Sequence, residues 1–288
     1  MKELFKSRLK MYIYERKGIL SMKTTGKWMA ALLALLLLPL WAQAEELRGF
    51  DKSYPKAERY QWVRLGAYPY EKDGTQRPVL WKVLDVKEGQ ALLFSDIILD
   101  TRQAMNCDNQ SDSEKRLFRR MDDFSESDLC AWMNEEMLPA LLGDSPLMDA
   151  LVETRYGRLY PLTDEQMLTP AYGFSAGRYD DVKGFPERQA VASPYAKSVN
   201  LYPDWCKALF VSYDTDTSPY WVIGFRNPGQ ANYMLQIAGD NGHLSYCVYS
   251  RQVGVRPALT LDTSLCRIIS GDGTKSSPFV LEYKGTEE

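Results

Sequence analysis

The chain has 288 residues and a formal net charge of −3, and it contains one histidine and five cysteines. A metal site built from several imidazoles is therefore excluded. The acidic balance also argues against nucleic acid as a partner, because an acidic surface repels phosphate backbones.

The segment Met22–Glu45 has the pattern of a cleavable export signal. Lys23 and Lys27 supply the positive charge, residues 28–41 form an uncharged apolar run, and Ala42-Gln43-Ala44 is a small-x-small cleavage site. The run holds 14 residues, whereas a helix that crosses a bilayer needs roughly 20. The pattern therefore predicts a signal peptide and no membrane span after its cleavage.

This signal peptide covers residues 1–44. Residues 1–21 are either a long cytoplasmic n-region or the product of a start codon assigned too early. Removing residues 1–44 takes away eight Lys or Arg and two Asp or Glu, which leaves 27 of the 35 basic and 36 of the 38 acidic side chains. The mature chain of 244 residues then carries a net charge of −9. We expect an extracytoplasmic protein, periplasmic or secreted.

Thiols tend to pair in such a compartment. The five cysteines are an odd number, so the sequence predicts at most two structural disulfides and one buried thiol, without ranking the pairings. All five lie in the mature chain: Cys107, Cys130, Cys206, Cys247 and Cys266.

The first half of the mature chain predicts strands and then helices. Residues 45–59 read as a polar lead-in, and residues 60–288 as a single α+β domain. Strands are predicted at Gln61–Gly66, Val79–Val86 and Ala91–Ser95, with a turn at Lys87–Gln90. Asn106–Asp123 is highly charged and predicts an exposed loop.

Ser125 or Ser127 caps a predicted helix that runs through Met137, is disturbed at Pro139 and ends at Gly143. A second helix is predicted at Pro146–Thr154, and a cap with a short helical turn at Thr163–Gln166.

The second half predicts a long irregular region, Tyr172–Pro219, followed by strands. Loops of that length usually have a functional or covering role. Its tyrosines suit both sugar stacking and protein interfaces; they are Tyr195, Tyr202, Tyr213 and Tyr220. Strands are predicted at Tyr220–Ile223, Tyr233–Ile237, Leu244–Tyr249 and Val253–Leu261, with a turn at Gly239–Gly242.

Several motifs carry a family resemblance: L-G-A-Y-P (Leu65–Pro69), W-V-I-G-F-R-N-P-G (Trp221–Gly229) and G-V-R-P-A-L (Gly254–Leu259). With them, the chain resembles a bacterial family of exported domains of unknown function. The resemblance implies a C-type-lectin-like or sulfatase-modifying-factor-like α+β fold, with a mixed antiparallel sheet, two or more helices and long loops. No cysteine pair matches the copper site of the formylglycine-generating enzymes, so neither that activity nor a cofactor is implied.

The candidate binding residues lie in and beside the turns of the C-terminal strands. A guanidinium such as that of Arg226 or Arg256 presents a planar fork of donors to an anionic or polyhydroxy ligand. The structural alternative, which we favour, is that these arginines tie strand ends to carboxylates or backbone carbonyls. Trp221 is expected in the core. The predicted binding residues are Arg226, Asn227, Tyr233, Asp240, Asn241 and His243.

Other chemistry has weaker support. His243 follows an Asn-Gly turn, where an exposed loop residue is the default, so we expect no catalytic role. Asp180-Asp181 and Asp214-Thr215-Asp216 do not match the EF-hand pattern, and no metal site is predicted.

We therefore expect a non-catalytic extracytoplasmic binding module for a glycan, a peptide or a protein. Two alternatives stay open: a hydrolase that acts on cell-envelope or extracellular polymers through a carboxylate pair, and a structural component of a surface assembly. An enzyme should show a deep pocket with two convergent carboxylates, or His243 with an acidic partner. A binding module should show a shallow, tyrosine-lined surface.

Overall fold

A computed structural model describes residues 45–104, 123–178, 184–199, 217–225, 233–237, 242–248 and 252–285, and for residues 225, 233–237 and 246–248 it describes the backbone alone. The predicted signal peptide and almost all of the predicted loop Asn106–Asp123 lie outside these residues. The chain divides into two compact units, Met1–Glu45 and Glu46–Glu288. Every described helix and strand belongs to the second unit.

The second unit contains two β-sheets. Its described strands are β1 Trp62–Pro69, β2 Gln76–Lys87, β3 Gln90–Ser95, β4 Asp100–Arg102, β5 Leu159–Pro161, β6 Tyr220–Phe225, β7 Tyr233–Ile237, β8 Leu244–Val248, β9 Val253–Val255, β10 Pro257–Asp262, β11 Cys266–Ser270 and β12 Phe279–Tyr283. One sheet has the order β11-β12-β1-β2-β3-β10-β5 and the other the order β4-β9-β6-β7-β8. Two pairs, β1 with β12 and β6 with β9, are parallel, and the other described pairs are antiparallel. The unit is therefore of the α+β class.

The hairpin of β2 and β3 follows directly from the sequence. Glu88 and Gly89 have φ angles of 52° and 76°, as a type I′ turn requires, and this confirms the predicted turn. Trp81 and Val83 are fully buried on one side of β2. The Trp81 indole donates to the carbonyl of Leu65 at 2.9 Å, which satisfies its buried N–H.

The long helix α1 combines α-helical segments at Asp128–Trp132 and Leu138–Leu142 with a π-helical segment, Met133–Met137, between them. Of the two predicted caps, Ser127 is the one used, because its hydroxyl accepts from the amide of Cys130 at 2.9 Å. The disturbance predicted at Pro139 takes the form of the π segment just before it, and the helix continues past the proline to Leu142 because the wider π turn accommodates the ring. Gly143 ends the helix as predicted, with a φ of 55°.

The remaining helices are short. The helix predicted at Pro146–Thr154 is only a 3₁₀ turn, Pro146–Ala150. The chain leaves that turn because the amide of Val152 donates to the carbonyl of Thr260 at 2.9 Å, which joins this segment to β10. Helix α2, Asp164–Met167, has a complete capping box and confirms the predicted turn. Helix α3, Pro194–Ser198, lies in the region predicted as irregular.

The predicted strand Val253–Leu261 is wrong as a single strand, because it divides at Arg256 into β9 and β10. Strand β9 pairs with β4 and β6, whereas β10 pairs with β3 and β5. Proline cannot donate to a ladder, and Pro257 opens the second strand. One apolar run therefore passes from one sheet into the other.

The lead-in belongs to the folded unit rather than preceding it. The amide of Phe50 donates to the carbonyl of Leu84 at 3.1 Å, and the Phe50 ring lies 4.9 Å from that of Tyr60. A Cβ on Gly49 would lie 2.9 Å from the Cα of Asp85. The folded unit accordingly begins near Glu46, because these residues cover one face of β2.

Trp221 is fully buried, which confirms its predicted place in the core, and its indole donates to the carbonyl of Arg102 at 2.7 Å. Cys130 and Cys266 are buried free thiols. With these two unpaired, the remaining three cysteines can form one disulfide at most, and that pairing stays a prediction. Within the described part of the chain, no helix is both long and apolar enough to cross a membrane.

Candidate functional site

The predicted binding residues fall largely outside the described part of the chain: Arg226, Asn227, Asp240 and Asn241 all do. Tyr233 begins β7, where its backbone pairs with that of Val248. His243 comes just before β8, and its ring packs edge-on against Phe185 with 5.6 Å between centroids. This proposed surface therefore stays a prediction.

Arg256 has the structural role that we favoured. Its side chain is almost fully buried. The Nε donates to the carbonyl of Ser95 at 2.9 Å, Nη2 to the carbonyl of Asp96 at 3.2 Å, and Nη1 to the hydroxyl of Tyr220 at 3.2 Å. Arg256 thus ties the junction of β9 and β10 to the end of β3, through backbone carbonyls that carry no net charge.

A groove of about 250 Å³ opens to solvent at the end of the β1–β2 hairpin. It is lined by residues 68–70, residues 77–80, Asp96, Ile97 and Leu99. We call it the β1–β2 groove. Its walls combine tyrosine and proline rings with one guanidinium and one carboxylate, a mixture that is typical of ligand sites.

The tyrosines of the groove are held in place by specific contacts. Tyr68 donates its buried hydroxyl to Asp100 Oδ2 at 2.6 Å, and the Tyr195 ring meets the Tyr68 ring edge-on at 6.5 Å. The amide of Tyr195 donates to the carbonyl of Tyr70 at 2.8 Å. The guanidinium of Arg77 lies 4.3 Å from the centroid of the Tyr70 ring and also pairs with Glu71. Tyr70 is therefore a positioned, partly exposed ring at the rim.

A second feature adjoins the groove at Asp96, and we call it the Lys82 cluster: Lys82, Asp96, Lys275, Tyr60 and Trp62. Lys82 Nζ lies 3.5 Å from Asp96 Oδ1, and Lys275 Nζ lies 2.6 Å from Asp96 Oδ2. The Lys82 ammonium also lies 5.4 Å and 5.5 Å from the ring centroids of Tyr60 and Trp62. Lys275 lies 4.8 Å from the Trp62 ring, so both lysines are arranged around one carboxylate and one indole.

The strand register explains why these residues meet. Trp62, Lys82 and Phe94 are directly opposite one another on β1, β2 and β3, so their side chains share one face of the seven-stranded sheet. Asp96 follows β3 on the same face. Lys275 comes from the loop between β11 and β12, where Asp272 stabilises the turn by accepting from the amide of Thr274 at 2.9 Å.

The electrostatics of the cluster are unusual for a β-sheet. Burial lowers the pKa of Lys82 to about 8, with the positive charges of Arg256 and Lys275 adding to the effect and Asp96 opposing it. Burial alone would raise the pKa of Asp96, but Lys82, Lys275 and Arg256 outweigh it and hold that pKa below its ordinary value. Lys82 therefore loses its proton much more readily than an exposed lysine.

Two carboxyl groups near the groove have opposite pKa shifts. Asp96 lines the groove and has a lowered pKa, whereas burial raises the pKa of Asp100 against the hydrogen bonds that it accepts from Tyr68 and from the amide of Thr101. Among the described lining residues, Asp96 is the single carboxylate. Asp100 lies behind Tyr68 and is almost fully buried.

The predicted binding residues leave out Lys82, although the sequence contains a signal for it. Lys82 is a charged residue inside the apolar strand V-L-W-K-V-L-D-V, and a buried lysine needs a partner. Asp96 comes at the end of the next strand, in reach of Lys82 once the hairpin closes. The contribution of Lys275 has no local signal, because it depends on the parallel pairing of β1 with β12.

Comparisons with known proteins add no assignment: no family model matches the chain, no curated protein matches it, and no solved structure matches it. In the described ranges, no group of three or more His, Cys, Asp or Glu side chains is placed to hold a metal ion.

Proposed function

We propose that the mature chain is an exported, non-catalytic binding module that holds a glycan in the β1–β2 groove. The observation that carries this proposal is the groove itself, which is open to solvent and lined by rings of tyrosine and proline with a single carboxylate. A glycan is favoured over a peptide or protein ligand because the groove is small and combines ring faces with a few charged groups.

Sugar recognition uses the two properties that this groove offers. The apolar face of a sugar ring packs on an aromatic or proline ring, while its hydroxyls bond to charged and polar groups at the edge. Pro69, Pro78 and the face of Tyr70 that the Arg77 guanidinium does not cover supply ring faces, and Arg77 and Asp96 supply a donor and an acceptor. The backbone bond between Tyr70 and Tyr195 reduces the ordering that binding would require.

The remaining parts of the proposal rest on the sequence. The leader pattern of residues 1–44 supports an extracytoplasmic location, and the final motifs support membership of the bacterial exported family with a C-type-lectin-like or sulfatase-modifying-factor-like fold. The two-sheet α+β architecture is compatible with that finer assignment.

A glycan array read with the purified protein tests the function. We expect binding of at least one class of oligosaccharide, weakened about tenfold or more by Tyr70→Ala, since one well-packed aromatic contact contributes about 1.4 kcal/mol. Tyr54→Ala is the matched control, because Tyr54 is a partly exposed tyrosine outside the groove. Equal effects of the two substitutions would contradict the proposal. Loss of binding on addition of EDTA would also contradict it, because the proposed contacts involve no metal ion.

A second candidate function, hydrolysis of a cell-envelope or extracellular polymer, is favoured by the opposite pKa shifts of Asp96 and Asp100. Glycoside hydrolysis uses one carboxyl group with a raised pKa as the acid and a second carboxylate as its partner. Reducing-end release from oligosaccharides that bind the groove, abolished by both Asp96→Asn and Asp100→Asn, would establish it. Binding with no product after prolonged incubation would leave the binding module.

A further inference from the structure

The Lys82 cluster has more positive charge than its own residues neutralise. Lys82, Lys275 and the buried guanidinium of Arg256 surround Asp96, which is the one carboxylate in contact with them among the described residues. Arg256 makes its hydrogen bonds to carbonyl and hydroxyl oxygens, so no described carboxylate forms a direct ion pair with it. Three cations therefore lie around the Asp96 carboxylate in a half-buried site, and Glu187, which acts on Tyr60 and Tyr220, is a second carboxylate in the same region.

Arg64 extends this positive face toward solvent. It lies two residues after Trp62 on β1, in the regular part of the ladder, so its side chain is on the same side of the sheet. Arg64 is exposed. The cluster thus has an open side as well as a buried one.

Hydrogen-bond donors are also in excess. The indole Nε1 of Trp62 is buried and has no partner among the described residues, although both lysines lie over the same ring system. A buried donor without an acceptor destabilises the folded state, and native proteins rarely leave one. The Lys82 cluster therefore has both excess positive charge and a donor without a partner, and a negatively charged hydrogen-bond acceptor would satisfy both.

We propose that the Lys82 cluster binds an oxyanion of the ligand, which means that the glycan in the β1–β2 groove is acidic. This inference rests on the proposed function for the identity of the rest of the ligand. The oxyanion accepts charge-assisted hydrogen bonds from Lys82 and Lys275, next to Asp96. Asp96 lines the groove and contacts both lysines, so the oxyanion site adjoins the groove at Asp96.

The charge of the whole chain limits which anions fit. A mature chain with a net charge of −9 repels a dense polyanion such as a nucleic acid. A local group of cations still attracts one acidic group on an otherwise neutral ligand. The carboxylate of a uronic acid and the sulfate of a sulfated sugar share this chemistry.

The test titrates the full chain at neutral pH with acetate or methyl sulfate against chloride at equal ionic strength, and follows the indole N–H resonance of Trp62 by NMR. We expect a saturable shift with a dissociation constant of about 1 mM, the range of a few charge-assisted bonds. Acetate stands for a carboxylate and methyl sulfate for a sulfate ester, and the tighter of the two identifies the source. A response no larger than that of chloride overturns the proposal.

Matched variants locate the binding. Lys82→Met and Lys275→Ser should each raise the dissociation constant roughly tenfold. Lys275 is on an exposed loop, so Lys275→Ser tests the site without changing a buried side chain. Lys275→Arg should retain binding, and Lys197→Ser, at an exposed lysine of α3, should leave it unchanged. Equal losses in Lys197→Ser and Lys275→Ser would overturn the assignment.

A second arm separates this inference from the proposed function. Tetragalacturonate is compared with its fully methyl-esterified form, which has the same sugar and no charge. Saturable acetate or methyl sulfate binding with no glycan dependence on Tyr70 would uphold the oxyanion site and reject the glycan module. Glycan binding that depends on Tyr70 but not on Lys82, Lys275 or ligand charge would do the reverse.

Discussion

Lys82 is a lysine held within a β-sheet, between an indole, a phenol and a carboxylate. Its methylene stem crosses an apolar strand while its ammonium reaches Asp96 at the end of the next strand. Burial lowers its pKa to about 8 from an ordinary value of 10.5. Burial of the protonated side chain therefore destabilises the folded state at neutral pH.

The stability of the fold should depend on pH through this group. Because the pKa is lower in the folded than in the unfolded chain, unfolding takes up a proton between pH 8 and 10.5, and the free energy of unfolding contributed by Lys82 rises across that window by up to about 3 kcal/mol. Lys82→Met should lack this rise and be more stable than the parent below pH 8. Urea unfolding of both proteins across the window measures the difference.

Burial raises the pKa of Tyr60 to about 12. Because this pKa is higher in the folded chain, Tyr60 lowers the free energy of unfolding at the alkaline end of the window, in the opposite direction to Lys82. Its effect is common to both proteins and cancels. Lys197→Met serves as the control for removal of an exposed lysine. Parallel pH profiles for the parent and Lys82→Met would show that Lys82 titrates as an ordinary lysine.

At the scale of single elements, the π segment of α1 contributes one side chain, that of Asn134, which bonds to the chain just before β5. Asn134, in the π segment, accepts from the amides of Arg158 and Leu159 at 2.8 Å and 3.1 Å. Its amide nitrogen donates to the carbonyls of Cys130 and Leu159 at 2.9 Å and 3.0 Å. One side chain thus holds the loop before β5 against the helix.

We expect Asn134→Ala to lower the free energy of unfolding by about 3 kcal/mol, because it leaves several backbone groups of that loop without partners. The exposed neighbour provides the control, and Glu135→Ala should change stability by about 0.5 kcal/mol or less. Asn134→Asp keeps the acceptor and loses the donor, so it should fall between the two. Chemical denaturation measures all three, and an Asn134→Ala protein as stable as Glu135→Ala would refute this role.

Local patterns predict many elements and few of their partners. The turn at Glu88, the cap at Ser127 and the capping box at Thr163 follow from short-range chemistry, and each is present. The disturbance predicted at Pro139 is present as a π turn, a form that single-residue propensity does not specify. The division at Arg256 has no periodicity signal, since the residues on both sides of it are apolar and buried.

The site is harder to predict than the fold. Its residues come from β1, β2, the end of β3 and the β11–β12 loop, and they meet through long-range pairings such as that of β1 with β12. The binding surface predicted from the sequence lies instead on the turns between the C-terminal strands, because the motifs that resemble a known family are in that part of the chain.

At the scale of the whole molecule, a few buried polar bonds connect the two sheets. Tyr68 of β1 in the first sheet donates to Asp100 of β4 in the second. Arg256, at the junction of β9 and β10, bonds to the end of β3 and to Tyr220 of β6. These bonds fix the two sheets against each other beside the groove.

Tyr68→Phe should therefore destabilise the protein by about 1–3 kcal/mol, because it leaves a buried carboxylate with one fewer donor. The loss should be smaller in acid, where Asp100 with its raised pKa becomes protonated. Tyr54→Phe, at a partly exposed ring, should have almost no effect. Thermal unfolding at neutral and acidic pH tests the pair, and equal midpoints for the two variants would count against the bond between the sheets.

Cys130 and Cys266, which are buried and unpaired, allow local opening of the fold to be followed by thiol labelling. Burial raises the pKa of both thiols to about 11, so an alkylating reagent finds almost no thiolate at neutral pH while the surroundings stay closed. Cys130 is in α1, whereas Cys266 begins β11 at an edge of the seven-stranded sheet. The order in which the two thiols are alkylated, followed by mass spectrometry, therefore reports whether the helix or the sheet edge unfolds locally at lower free energy.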